Sequence, residues 1–163
     1  MSCFEGLNDI ESMLIKDARK EVYIIDSSIV LKWFFTKGES DIETAKIVYE
    51  KTLDRDYHMI SPELLIYELL NIFKYKTDFS EVKLEVIIKK IFNILVFSHI
   101  DYKTLINAYS ISKKIEDSVY DCIYVAMSEK YKAPLLTADK KLYKKAKEFN
   151  YDVMLLTEFA DLY

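Results

Sequence analysis

Residues 22–28 read Val22-Tyr23-Ile24-Ile25-Asp26-Ser27-Ser28. An unbroken apolar run of strand length, with no polar alternation, predicts a strand covered on both faces. It stops abruptly at a carboxylate followed by two hydroxyls. The same kind of short run recurs at 58–60, 95–97, 134–137 and 153–156, and longer stretches of helical periodicity lie between the runs. Strands alternating with helices, each strand apolar on both faces, predict a parallel five-stranded sheet in a three-layer α/β/α domain. Ligands of such sheets collect beyond the carboxyl ends of the strands, where the strand order reverses. Asp26 and the segment Thr137-Ala138-Asp139 are therefore the first places to look.

The intervening helices carry start signals. Helical character follows Asp26 through Phe35, with Gly38 placed to end it. Ser40 and Glu43 have the spacing of a capping box for a helix running to about Leu53. Ser61-Pro62 predicts a further start, a capping hydroxyl followed by a proline at the first helical position. Ser80 opens another helix, Asp101 caps one through Ile115, Ser118 begins one to Tyr131, and a lysine-rich helix covers about 140–149. Residues 1–20 stand apart as an N-terminal extension. Phe4, Leu7, Ile10 and Leu14 recur there at helical spacing, predicting a short amphipathic helix that packs on the domain, frays, or meets a partner. Residues 21–163 form the domain proper.

Composition narrows the chemistry. The chain has 163 residues, of which 51% are hydrophobic and 31% charged, enough to build a core in one domain. Its only glycines are Gly6 and Gly38, which excludes a glycine-rich phosphate loop, a dinucleotide fingerprint and a Gly-x-Ser-x-Gly elbow. The net charge of −4 excludes a uniformly basic nucleic-acid binder but not a local basic stripe. Cys3 and Cys122 have no metal-binding spacing, and no apolar run approaches the ~18 residues of a membrane span. A reduced, cytoplasmic setting is the expectation.

Four carboxylates break apolar or strand-terminal contexts. Asp26 closes the first strand and Asp139 follows the fourth. Glu68 lies in Leu64-Leu65-Ile66-Tyr67-Glu68-Leu69-Leu70-Asn71, and Asp121 in the nearly uncharged run from Ser118 to Ala126. Each has a bland reading: an Asp after a strand caps the next helix, and a helical Glu faces water. Taken together they describe an oxygen-only site, which suits Mg²⁺ or Mn²⁺ rather than zinc. Such an ion activates water against phosphate esters. Aspartyl-phosphate chemistry also begins with Asp after a first strand. Its phosphatases need a second Asp two residues on, where this chain has Ser28, and receiver domains need an acidic residue where it has Ile25.

The segment from Ile25-Asp26-Ser27-Ser28 to Trp33-Phe34 resembles the opening motif of PIN-domain nucleases. Pro62-Glu63-Leu64 through Glu68-Leu69-Leu70-Asn71 is similar to their second motif. Tyr120-Asp121-Cys122-Ile123-Tyr124-Val125-Ala126 and Leu136-Thr137-Ala138-Asp139-Lys140-Lys141-Leu142 are similar to the third and fourth. The resemblance spans 21–156 in order and spacing. It implies that Asp26, Glu68, Asp121 and Asp139 form the catalytic, metal-binding set, supported through hydrogen bonds by Ser28 and Thr137. The nearest variant is the VapC-type toxin of type II toxin–antitoxin pairs. That implies RNA as substrate, products with 5′-phosphate and 3′-hydroxyl ends, a small antitoxin covering the cleft, and a homodimer. The 20-residue extension is longer than compact toxins usually carry. A stand-alone PIN nuclease of RNA processing or decay, and a PIN-fold module that binds RNA or protein without cutting, remain the alternatives.

Other residues have two readings each. Asp117, one turn before Asp121, is read as the cap of that helix, a task Ser118 could share, rather than as a fifth acid reaching a second ion. Lys140, Lys141 and Lys144 belong to a basic helix directly after Asp139, either a solvated face or a grip on RNA phosphates. Tyr120, Tyr124, Met127 and Tyr131 form a stripe read as core, and Trp33 is read as packing or a subunit contact. His58 and His99 are read as structural, and Cys122 as a buried small hydrophobe.

Overall fold

The computed structural model describes residues 21–54 and 57–162. The helix predicted within 1–20 lies outside the described residues. Five strands, β1 (Glu21–Ile25), β2 (Tyr57–Pro62), β3 (Val96–Ser98), β4 (Leu135–Thr137) and β5 (Val153–Leu155), form one sheet in the order β3-β2-β1-β4-β5. Every pairing is parallel, with Tyr23 opposite Met59 and Ile25 opposite Leu136. The reason is visible in β1, whose Tyr23, Ile24 and Ile25 are all buried at the centre of the core.

Helices α1 (Ser27–Phe34) and α2 (Ile42–Leu53) connect β1 to β2, and α3 (Leu64–Lys76) and α4 (Glu81–Ile94) connect β2 to β3. Helices α5 (Tyr102–Ile115) and α6 (Val119–Tyr131) then carry the chain to the other side of β1, α7 (Lys140–Glu148) joins β4 to β5, and α8 (Leu156–Ala160) follows. Right-handed crossovers put α1–α4 on one face and α5–α7 on the other. The packing agrees: α1 lies against α2 and α3, while α6 lies along α5 and against β1 and β4. The expected three-layer α/β/α architecture is observed. The strand order reverses at β1, so the crevice predicted for ligands opens beyond the ends of β1 and β4. No helix among the described residues is long and apolar enough to cross a membrane.

Three expected helix starts form as read. The Ser80 side chain accepts the Lys83 amide, Asp101 the Thr104 amide at 2.8 Å, and Ser118 the Asp121 amide at 3.0 Å. Two do not. Ser61 and Pro62 complete β2, and the Ser61 hydroxyl donates 2.9 Å to the buried carbonyl of Ile25 on β1. A hydroxyl with a buried carbonyl to satisfy is lost as a cap, and α3 begins two residues later. The Ser40–Glu43 box is also absent. Asp41 holds the cap position at φ 56 without a side-chain cap, and the Ser40 hydroxyl bonds its carboxylate instead. Gly38 adopts φ 77 in the loop that follows α1, three residues beyond the Phe35 cap.

Candidate active site

Asp26 is the first residue after β1 and the N-cap of α1, which leaves its side chain only 5% exposed in the middle of the sheet. One oxygen accepts the Ser28 amide at 3.1 Å and the Ser28 hydroxyl at 2.5 Å. The other accepts the Thr137 hydroxyl at 2.5 Å. The same two hydroxyls accept in turn from the chain beyond β4: Ser28 Oγ from the Ala138 amide at 2.9 Å, Thr137 Oγ1 from the Asp139 amide at 2.9 Å. Two turns more than a hundred residues apart are thereby joined around one carboxylate.

Glu68 projects from α3, half-buried. Its Oε2 accepts the Tyr124 hydroxyl at 2.7 Å, and the Ser27 side chain bonds it as well. Asp121 lies in the first turn of α6 and accepts the Ser118 hydroxyl at 2.6 Å. Asp139 is the exposed N-cap of α7, its Oδ1 taking the amides of Lys141 and Leu142 at 2.8 and 3.0 Å. The bland capping role and membership of an acidic group thus coexist in Asp26 and in Asp139.

The acids feel one another. Burial raises the Asp26 carboxyl from the ordinary 3.8 to about 7; the bonds from Ser28 and Thr137 pull it down, and the charges of Glu68 and Asp139 push it further up. Glu68 is raised by burial, against its hydrogen bonds, with the charge of Asp121 adding to the rise. Asp121 is raised by burial and by the charges of Asp117 and Asp139, with Lys141 acting the other way. Burial of a carboxylate that no cation offsets is costly, and such perturbation marks functional sites more often than structural ones.

Among the described residues, no three His, Cys, Asp or Glu side chains converge closely enough to hold a metal ion between them. The donor chemistry nevertheless fits Mg²⁺, which keeps several of its waters and takes only one or two carboxylates directly. Asp26, Glu68, Asp121 and Asp139 lie within one another's electrostatic reach.

The remaining residues sort themselves around this group. Asp117 does not cap α6; Ser118 does. Asp117 accepts the Ser118 amide at 2.9 Å and pairs with Lys145 at 3.1 Å. Lys140, Lys141 and Lys144 are exposed, and Lys141 is the one whose charge reaches Asp121. Cys122 is fully buried, with burial pushing its thiol up to about 12, so it is packing and not a nucleophile. Trp33 packs against Tyr49, its ring nitrogen donating to the Ala45 carbonyl at 2.9 Å. The tyrosine stripe divides: Tyr124 is 1% exposed but Tyr120 65%. Tyr124 and Ser27 are the residues the sequence reading missed as partners of Glu68. The available signal was that a buried tyrosine hydroxyl needs a partner, and Tyr124 sits one turn beyond Asp121.

A family model for the PIN domain matches residues 23–148. Solved structures share the fold at low identity. The protein PAE2754 from Pyrobaculum aerophilum is 17% identical, with a TM-score of 0.64, 89% of this chain and 96% of that one covered. A toxin–antitoxin complex from Klebsiella pneumoniae gives 13%, 0.61, 82% and 97%. VapC20 of Mycobacterium tuberculosis, described as a sarcin–ricin loop cleaving toxin, gives 10%, 0.62, 79% and 95%. No curated protein matches the sequence.

Proposed function

Since the chain belongs to the PIN domain family, we propose that it is a metal-dependent endoribonuclease and the toxin of a toxin–antitoxin pair. The observation that carries this reading is Asp26: a buried carboxylate at the switch point, fixed by two hydroxyls, facing the charges of Glu68 and Asp139 with no cation paired to it among the described residues. That is an investment without structural return unless a positive ligand arrives. Similarity to toxins of this fold supports the choice of RNA and of an antitoxin partner.

Asp26, Glu68, Asp121 and Asp139 would hold Mg²⁺ or Mn²⁺, which when bound lowers the pKa of a coordinated water and offsets charge on the phosphate. The chain's own contribution is placement. Ser28 and Thr137 fix both Asp26 oxygens, and Tyr124 with Ser27 fixes Glu68. Lys140, Lys141 and Lys144 supply the cations that hold flanking phosphates against an acidic centre. Asp117 is engaged by Lys145 and serves to position the turn that bears Asp121. Self-association is supported by α5, where Tyr102, Leu105, Ile106 and Tyr109 are exposed at helical spacing. Light scattering should therefore report a dimer.

The test is cleavage of total RNA in Mg²⁺ or Mn²⁺, with a chelator and Asp26→Asn as controls. Cleavage that needs the ion and the Asp26 carboxylate is the expected result. Cleavage undiminished by either control would remove the assignment.

A further inference from the structure

A second feature lies at the carboxyl end of the sheet, beyond β2 and β3. It is a cavity of about 260 Å³ lined by Glu63, Leu64 and Tyr67 at the start of α3 and by Ser98, His99 and Ile100 just after β3. That is below the roughly 300–1,000 Å³ of sites enclosing drug-sized ligands, and it suits one flat ring system. Leu64 and Glu68 are four residues apart and share a face of α3. Leu64 at the cavity thus lies about one turn, ~6 Å along the helix axis, from Glu68, a spacing comparable to one nucleotide.

Its lining is suited to a base. Tyr67 is 67% exposed at the cavity wall, a ring held open to solvent next to the apolar Leu64 and Ile100. Glu63 occupies the N-cap position of α3 but its side chain caps nothing, and it has no ion pair among the described residues. The Ser98 hydroxyl is already engaged with that of Tyr131 at 2.5 Å. Beside the His99 imidazole, the Glu63 carboxylate is thus the one anionic acceptor among the lining residues, and a carboxylate only accepts.

We propose that this cavity is a base subsite for the RNA strand cut at the acidic centre and that it takes guanine, with Tyr67 stacking on the ring and Glu63 accepting from N1–H and the N2 amino group. The proposal rests on the ribonuclease reading above. Guanine is the one base whose pairing edge sets two N–H donors side by side. Adenine and cytosine place a ring acceptor beside the amino group, which a carboxylate repels, and uracil flanks its single N–H with carbonyls. Unpaired RNA is read in this way, by stacking on an aromatic side chain and hydrogen bonding at the pairing edge.

The experiment uses the full chain carrying Asp26→Asn, so that the strand stays intact, and measures fluorescence anisotropy with labelled r(UUGUU), r(UUIUU) and r(UUAUU) in Mg²⁺. The guanine oligomer should bind tightest. The inosine oligomer, lacking one bond to a charged group, should bind roughly tenfold or more weaker. Adding Glu63→Gln should erase the preference for guanine over adenine. Adding Tyr67→Ala should weaken the guanine oligomer by roughly 5- to 150-fold, the range for one stacked base. Equal affinity for all three oligomers, or a guanine preference that survives Glu63→Gln, overturns the proposal. So does RNA binding indifferent to both substitutions. Guanine-selective binding by a parent protein that never cuts RNA would remove the nuclease reading and keep the subsite. Cleavage indifferent to guanine would do the reverse.

Discussion

Asp26 and Asp101 each come shortly after a strand, and each accepts a backbone amide at the start of a helix, Asp26 from Ser28 and Asp101 from Thr104. Each also takes a hydroxyl from the same residue that gives the amide. What differs is the depth of burial and the last partner. Asp101 receives the ammonium of Lys130 at 2.9 Å; although burial raises it, the Thr104 bonds and Lys130 outweigh that and hold it at about 2. Asp26 has no such ammonium among the described residues: burial raises it most, the bonds from Ser28 and Thr137 lower it, the charges of Glu68 and Asp139 raise it further, and it stands at about 7. One local role thus yields a stabilising ion pair in one place and an unpaired charge in the other. The cap explains Asp101 completely; it leaves Asp26 unexplained, and that remainder is what points to a ligand.

The sharpest break between the two is activity. Asp26→Asn should lower the rate of RNA cleavage by something on the order of 10³-fold or more, as loss of a single catalytic group does, while Asp101→Asn should leave the rate of cleavage unchanged. Stability should move the opposite way. The Asp26 carboxyl is raised on folding, so ionising it opposes folding; in metal-free buffer the penalty grows as pH rises from about 4 to about 7 and is then constant. Asp26→Asn should therefore be more stable to unfolding than the parent at pH 8, by up to the order of 4 kcal/mol, with the gap closing near pH 4. A variant less stable than the parent at pH 8 would contradict the electrostatic picture.

Thr137→Val keeps the shape of the side chain and removes the hydroxyl that orients Asp26. Metal titration should show a loss of affinity of about 10- to 100-fold, the usual effect of such orienting groups. The smallest effect belongs to Asp101. Its carboxyl is lowered on folding, so its contribution is present above pH 4 and is lost as pH falls toward 2. Asp101→Asn keeps a capping oxygen but loses the charge paired with Lys130, so it should cost about 1 kcal/mol or less in urea unfolding at pH 7, and progressively less below pH 4.

The sheet was legible in the sequence because the inner residues of the central strands, Tyr23–Ile25, Met59–Ile60 and Leu135–Leu136, are apolar and buried. Caps were legible where the hydroxyl had only local amides to serve, as at Ser80 and Ser118. At Ser61 the competing partner is a carbonyl 36 residues earlier, which no local pattern contains. The acids were visible one at a time, as charges in apolar surroundings. What ties them together was only partly visible. Helical periodicity places Tyr124 on a buried face but does not say that its hydroxyl ends on Glu68, 56 residues away. The split between Tyr120 and Tyr124 was hidden for the same reason: a stripe on a helix reveals a direction, and depth depends on what packs there.

The clasp between Ser28, Thr137 and the turns they bridge has a consequence for the protein's biogenesis. β1 gains its β4 neighbour, and Asp26 its second hydroxyl, only once the chain has grown past Thr137. Domains fold progressively during translation, yet this centre joins turns more than a hundred residues apart. A chain still shorter than that has the first carboxylate without its mate, so the centre proposed for catalysis is incomplete until β4 has been made.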